Sequence, residues 1–191
     1  MDRSALAQGL AQLGPAAALV TALDQRVEQD LSRVGALSEL TSQLALSYLE
    51  RIRHPLGALT LEVGVALTTR GYLAHMVVEA DPAAYGAAGE VPVLGSLPDL
   101  RRGRPPQDLL TRVIKATRRN FALIRALPEE VWAGYLLCAT AHAHQMPAPP
   151  AGDGEPPRML DATVVDGLLR FGWVLRQVDL RYGLGPGPGP A

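Results

Sequence analysis

The sequence predicts an all-α protein, an up-down bundle of four or more helices joined by long Pro/Gly-rich connections. Apolar residues recur at spacings of three and four in several segments, and most of the 19 glycines and 16 prolines lie between those segments. With 191 residues, 48% of them hydrophobic, the chain can bury the core of one domain. We assign residues 1–14 to a flexible N-terminus, 15–182 to a single helical-bundle domain and 183–191 to a disordered Gly/Pro tail.

The first two predicted helices follow Gly14-Pro15 and Ser38. Proline is tolerated in the first turn of a helix, and serine is a good N-cap. His54-Pro55 should end or kink the second helix, because proline lacks the amide hydrogen that an interior position needs. The apolar stripe of the first helix consists of Val20, Leu23, Val27, Leu31 and Val34.

Residues 59–79 fit two templates. Apolar side chains occupy every second position from Leu59 to Leu67, and Thr68–Gly71 could form a turn, which together predict a β-hairpin. A helical spacing through Val63, Leu67 and later apolar positions fits as well, and the neighbouring segments are all helical. We favour a helix over 61–80 and keep the hairpin as the alternative.

The second half of the chain contains three further predicted helices. Residues 81–105 form a long loop, and a helix then runs over 110–124 until Leu127-Pro128 stops it. A shorter element runs from Glu129 toward His144, and 145–158 form a connection. The last helix shows the clearest stripe, with a predicted cap at Thr163 and an end at Gly183. The stripe comprises Val164, Leu168, Phe171, Leu175, Val178 and Tyr182.

The composition excludes several classes of protein. No apolar run approaches 18 residues and no secretory signal pattern is present, so we expect a cytoplasmic protein that does not enter membranes. The single cysteine excludes an internal disulfide and a cysteine-based zinc site. No phosphate-binding loop or nucleophile elbow is present, so the sequence predicts no catalytic residue and no cofactor.

The residues that could ligate a metal are few. Cys138 and His142, four residues apart on a helix, could share an ion, but a buried thiol on an apolar face is the favoured interpretation. His142 and His144 point to different faces. His75 follows an apolar stretch and is interpreted as a core histidine with satisfied hydrogen bonds. Asp179 is assigned to a solvent-facing position.

Positive charge is concentrated between Asp99 and Arg125, where eight basic and two acidic residues give a net +6. Arg112, Lys115 and Arg119 share one helix face. A basic helix over 106–126 could bind nucleic acid. A solvated surface whose cations pair with the acidic remainder is favoured, because no aromatic residue interleaves the basic ones.

A winged-helix DNA-binding regulator is the alternative function. Residues 38–56 would form a helix-turn-helix with Tyr48–His54 as recognition helix, the hairpin 59–79 would be the wing, and the C-terminal half would dimerise. The side chains assigned to nucleic-acid contact, in this module and on the basic helix, are Arg51, Arg53, Arg70, Arg112, Lys115 and Arg119.

Several short segments between about residues 60 and 185 resemble the DinB/YfiT-like superfamily of four-helix-bundle proteins. The resemblance implies a bundle related to DNA-damage-inducible or thiol-handling enzymes. The segments are Arg70-Gly71-Tyr72-Leu73-Ala74-His75-Met76, Ile124-Arg125-Ala126-Leu127-Pro128-Glu129-Glu130-Val131-Trp132, Thr163-Val164-Val165-Asp166-Gly167-Leu168-Leu169 and Arg176-Gln177-Val178-Asp179-Leu180-Arg181.

The resemblance also implies where a metal would bind. Metal-containing members hold the ion by one histidine on the second helix and two, four residues apart, on the last. His75 matches the first as a remnant ligand, but Arg170 and Val174 stand at the other two positions, and neither can coordinate a cation. We therefore expect a metal-free, non-catalytic binding or stress and DNA-damage-response protein that forms a homodimer. A related enzyme with its ligands elsewhere is a further alternative.

Overall fold

The computed structural model describes residues 3–31, 37–87, 89, 107–146 and 160–184. Within these ranges every regular element is a helix, so the predicted all-α class is confirmed. None of these helices has both the length and the apolar character needed to cross a bilayer. The helices are α1 (Arg3–Ala11), α2 (Ala16–Leu31), α3 (Glu39–Leu56), α4 (Leu61–Ala80), α5 (Pro82–Tyr85), α6 (Gln107–Arg119), α7 (Phe121–Ile124), α8 (Glu129–Gln145) and α9 (Ala162–Tyr182).

The ambiguous segment 59–79 lies mostly in helix α4, so the favoured helix is confirmed and the β-hairpin is wrong. Thr60 is the N-cap, and its hydroxyl accepts a hydrogen bond from the amide of Val63 at 3.1 Å. The helix is buried on more than one side, so apolar residues occupy several of its faces and blur the helical period.

Helices α4 and α9 pack closely at the centre of the molecule. A Cβ atom on Gly71 would overlap the backbone carbonyl of Leu169, and one on Gly172 would overlap that of Thr68. Only glycine allows two helix backbones to approach this closely. Together with α3, α6 and α8, helix α4 buries α9 almost completely from Leu168 to Asp179, well beyond its predicted stripe.

The directions of the long helices follow from their contacts. Ser38, just before α3, contacts Asp179 near the end of α9, and Tyr48 stacks on Phe171 at 4.3 Å between ring centroids, so α3 and α9 are antiparallel. A short turn reverses the chain between α3 and α4. His144, at the end of α8, contacts the segment leading into α9.

Four local predictions need correction. The helix predicted over 110–124 is interrupted at Asn120, where α6 ends and α7 begins. Much of the N-terminal segment 1–14, expected to be flexible, forms α1, because Leu6 and Leu10 pack against the core. Helix α3 continues through His54-Pro55 and ends one residue later, before Gly57 with φ 58°. The cap of α9 is Asp161 rather than Thr163, since its carboxylate accepts from the Thr163 amide at 2.7 Å.

The predicted Pro/Gly-rich connections fall largely outside the described residues. Within 81–105, Pro82–Tyr85 form the short helix α5, whereas 88 and 90–106 are not described. In the predicted connection 145–158, residues 147–158 lie outside the described ranges. In the predicted tail 183–191, residues 185–191 also lie outside them. Gly183 ends α9 as predicted, in a left-handed conformation with φ 64° and ψ 33°.

Candidate functional site

His75 lies buried between α4 and α9, with 2% of its surface exposed. Its ring stands edge-on to Trp173 at 4.8 Å between centroids, and its Nδ1 is 3.9 Å from the Glu79 carboxylate. Neither ring nitrogen has a hydrogen-bond partner among the described residues, so the burial was predicted correctly and the satisfied hydrogen bonds were not. Burial, assisted by the nearby Arg176 guanidinium, lowers the pKa of His75 to about 3.

The residues around His75 do not fit a metal ion. Helix α9 places Trp173 and Arg176 next to the imidazole. Arg170 lies 4.5 Å over the Phe121 ring and pairs with Asp166, with 2.7 Å between Nε and Oδ2. Val174 is fully buried and has no atom that can coordinate. In the described part of the chain, the three positions implied by the resemblance therefore do not form a ligand set.

Asp179 is the centre of a buried polar network that sequence reasoning missed. It is fully buried, and the assignment to a solvent-facing position is therefore wrong. Its carboxylate accepts hydrogen bonds from the Ser38 hydroxyl at 2.5 Å, the Thr41 hydroxyl at 3.1 Å and the Tyr72 hydroxyl at 2.8 Å. These bonds supply the carboxylate with the partners that a buried charge needs, and they tie α3 and α4 to α9.

Arg176 continues this network toward the end of α4. Its guanidinium is 1% exposed and donates to the Glu79 carboxylate at 3.0 and 2.9 Å, and to the Tyr72 hydroxyl at 3.4 Å. Burial opposes the charge, but these hydrogen bonds outweigh it and raise the pKa of Arg176. For the Tyr72 hydroxyl, burial raises the pKa, because burial disfavours the charged phenolate. The network therefore links α3, α4 and α9 through buried hydrogen bonds.

A second charged cluster joins α2, α4 and α8. Arg70 is 5% exposed, pairs with Asp24 at 3.4 Å and also contacts Glu28. The Nε2 atom of His142 lies 3.2 Å from Asp24 Oδ2 and 3.4 Å from Glu28 Oε1. Because its guanidinium is buried in this cluster, Arg70 cannot contact DNA as predicted.

Cys138 is buried, and His142 and His144 point in different directions, as the sequence predicted. The thiol is buried, and burial together with the charge of Asp24 raises its pKa to about 12. A thiol in that state is a poor nucleophile at neutral pH. His142 turns toward α2, whereas His144 lies 3.4 Å from the carbonyl oxygen of Leu160, so the two do not share a site.

A groove of about 460 Å³ lies between α3, α6 and the first turns of α9. Its walls are mainly apolar, and the guanidinium groups of Arg118 and Arg170 add positive charge. The lining residues are Tyr48, Ile52, Leu56, Thr117, Arg118, Thr163, Val164, Asp166, Gly167, Leu168 and Arg170.

The remaining residues assigned to nucleic-acid contact do not form a helix-turn-helix. Residues 39–56 are one continuous helix, and the segment of the predicted wing is helical, so the winged-helix prediction is wrong in its secondary structure. Arg51 and Arg53 are exposed on α3, and Lys115 and Arg119 are exposed on α6. On the same α6 face, Arg112 pairs with Asp108 at 2.8 Å.

Comparison with known proteins adds no relative: no protein-family model, curated protein or solved structure matches this chain. The function is therefore argued from the described residues. Sequence reasoning identified the parts of the groove as apolar stripes and basic residues. The sequence does not indicate that these residues lie together in one groove, because α3, α6 and α9 are far apart along the chain.

Proposed function

We propose that the chain is a non-catalytic binding protein with a DinB-like helical bundle, and that the groove between α3, α6 and α9 binds a small amphipathic anion. The observation that carries this proposal is the combination, in one groove, of apolar walls from two helices with the exposed guanidinium of Arg118. An apolar body and an anionic head are the ligand features that such a lining matches.

The apolar part of the ligand would lie between α3 and α9. Tyr48, Ile52 and Leu56 follow one another at spacings of four on α3, and Val164 and Leu168 face them from α9. The groove volume of about 460 Å³ falls within the range of small-molecule sites. Transfer of a hydrocarbon chain out of water gains about 0.8 kcal/mol per buried methylene group.

The anionic head would lie at Arg118. The charge of Arg170 is already engaged, because Asp166 pairs with it and Phe121 lies beneath it. Arg118 is exposed and has no ion pair among the residues that the structure describes. An anion at Arg118 would thus meet a cation without displacing an internal partner.

The protonation states of the buried groups favour binding over catalysis. A general base works best with a pKa near the working pH, and the pKa of His75 is about 3. Cys138, whose pKa is about 12, remains a protonated thiol at neutral pH. Both side chains are buried in the core, and neither lines the groove.

Other parts of the earlier hypothesis remain predictions. These are membership of the DinB/YfiT-like superfamily, a role in stress or DNA-damage response, a homodimer and a cytoplasmic location. Sedimentation equilibrium of the full chain tests the dimer directly, with a mass of twice 20.3 kDa expected.

Binding of decanoate to the full chain, measured by calorimetry, tests the proposed function. Decanoate carries a ten-carbon apolar chain and one negative charge, and 1-decanol is its uncharged counterpart. We expect decanoate to bind more tightly than decanol, and Arg118→Ala to weaken decanoate binding about five- to tenfold. The matched control is Arg119→Ala, which removes an exposed cation outside the lining.

The proposal is wrong if decanoate does not bind, or if Arg119→Ala weakens binding as much as Arg118→Ala does. The second result would show attraction to the general charge of α6. Circular dichroism of both variants verifies that they fold, which exposed positions should permit.

A further inference from the structure

We propose that Asp24, Glu28 and His142 form a binding site for a divalent transition-metal ion, distinct from the groove and from the position of His75. The site combines two carboxylates with one imidazole, and one ligand atom of each lies within 4.8 Å of the others. Zinc, iron and manganese bind this ligand combination in proteins. The proposal does not depend on the function proposed for the groove.

The spacing of the ligand atoms fits a metal ion. Metal–ligand bonds of about 2.0–2.2 Å with tetrahedral angles place neighbouring ligand atoms about 3.3–3.5 Å apart. His142 Nε2 lies 3.2 Å from Asp24 Oδ2 and 3.4 Å from Glu28 Oε1. Because the Arg70 guanidinium already contacts Glu28 Oε1, the Glu28 side chain must turn to offer an oxygen to an ion held by Asp24 and His142.

The helices supply the ligands from rigid positions. Asp24 and Glu28 are four residues apart on α2, so they share one face of that helix. His142 comes from the last turns of α8, which packs beside α2. The Glu28 side chain is 43% exposed and that of His142 32%, so an ion can enter from solvent and keep water as a further ligand.

Arg70 acts as a support for the ligands in this proposal. Its Nη1 atom lies 3.4 Å from Asp24 Oδ1, which leaves Oδ2 directed at His142, and its Nη2 atom contacts Glu28 Oε1, the oxygen that faces His142. Hydrogen bonds from outer groups commonly orient metal-binding carboxylates in this way. Two carboxylates against one guanidinium also leave the cluster with a net charge of −1 when His142 is neutral, and this excess charge attracts a cation.

Titration of the chelator-treated, tag-free full chain with Zn²⁺ alone, measured by calorimetry, tests the site. We expect about one ion per chain, and Co²⁺ should produce visible d–d absorption that Zn²⁺ abolishes. His142→Ala should weaken binding at least about tenfold, because it removes a ligand. Asp24→Asn should weaken binding in the same way. The matched control is His144→Ala, which removes an imidazole from the same helix outside the cluster.

Three results would overturn the proposal. The first is that the wild-type chain binds neither ion, which would mean that Arg70 and the carboxylates are a closed ion-pair network. The second is that His142→Ala binds as tightly as the wild type. The third is that His144→Ala loses binding equally. If His142→Ala does not fold, Asp24→Asn and the cobalt spectrum of the wild-type chain decide the question.

Discussion

The burial of two charged residues on α9, Asp179 and Arg176, could not be predicted from the sequence. Asp179 borders the apolar stripe of α9, four residues after Leu175, and Arg176 lies farther from the stripe, yet both are buried. They are buried because α3 and α4 cover a second side of α9, and each charge finds its partners on those helices. Helical periodicity shows one apolar face, and it carries no information about a polar face that another helix covers.

Replacing Asp179 with alanine should lower the free energy of unfolding by about 3–5 kcal/mol. The change leaves the hydroxyl groups of Ser38, Thr41 and Tyr72 without their acceptor, and it leaves a cavity. Urea unfolding measures the loss. As a control, Asp108→Ala at an exposed ion pair should cost less than about 1 kcal/mol. Equal losses in the two variants would contradict the assignment of Asp179 as the centre of the network.

The low pKa of His75 should make the protein less stable in acid. An unfolded chain binds a proton on this imidazole below its usual pKa of 6.5, whereas the folded protein resists protonation down to about pH 3. The free energy of unfolding should therefore fall by about 1.4 kcal/mol per pH unit as the pH decreases between these values.

His75→Leu isolates this effect from other titrations. Between pH 6.5 and 4.5 the wild type should lose about 2–3 kcal/mol more stability than the variant does. His144→Leu should keep the wild-type dependence. Parallel curves for the wild type and His75→Leu would show that the imidazole is protonated in the folded protein.

At the level of elements, α4 and α9 form the most extensive contact among the described helices. Gly71 and Gly172 sit where the two backbones meet, and substitution at either position forces the helices apart. Gly167 lies on α9 as well, but a Cβ atom there would meet nothing within 4 Å. The same chemical change should thus have opposite effects at positions a few residues apart.

Gly172→Ala should destabilise the protein by at least about 3 kcal/mol, because overpacked core positions shift whole elements. Gly71→Ala should do the same. Gly167→Ala should instead raise the free energy of unfolding by about 0.5–1 kcal/mol, since alanine is the better helix former. Thermal and urea unfolding of the three variants measure these changes. A stable Gly172→Ala protein would contradict the close packing of α4 and α9.

The elements themselves were largely predictable from local chemistry. Ser38 was recognised as a cap and Gly183 as a helix end, because both act through their own residue and the next turn. The hairpin alternative arose in α4, where burial on several sides hides the helical period. Helix α1 was not predicted, because its apolar pattern is short and the helix packs against α8, which is distant in sequence.

On the scale of the whole molecule, the candidate sites exist only because distant segments meet. The groove joins α3, α6 and α9, and the metal site proposed above joins α2 and α8. The spacing of residues in a sequence indicates which side chains are neighbours within one helix. It could not predict the contacts between helices that form the groove and the proposed metal site. The family resemblance implied that His75 is a remnant metal ligand, but this side chain is buried in the core.

Backbone amide NMR of the ¹⁵N-labelled chain during titration with decanoate locates the binding site residue by residue. We expect saturable shifts to concentrate at the groove residues of α3, α6 and α9, among them Ile52, Arg118 and Gly167. Amides near His75 and near Asp24 should stay in place. Shifts centred on either of those regions, or no saturable shifts at all, would contradict the assignment of the groove as the binding site.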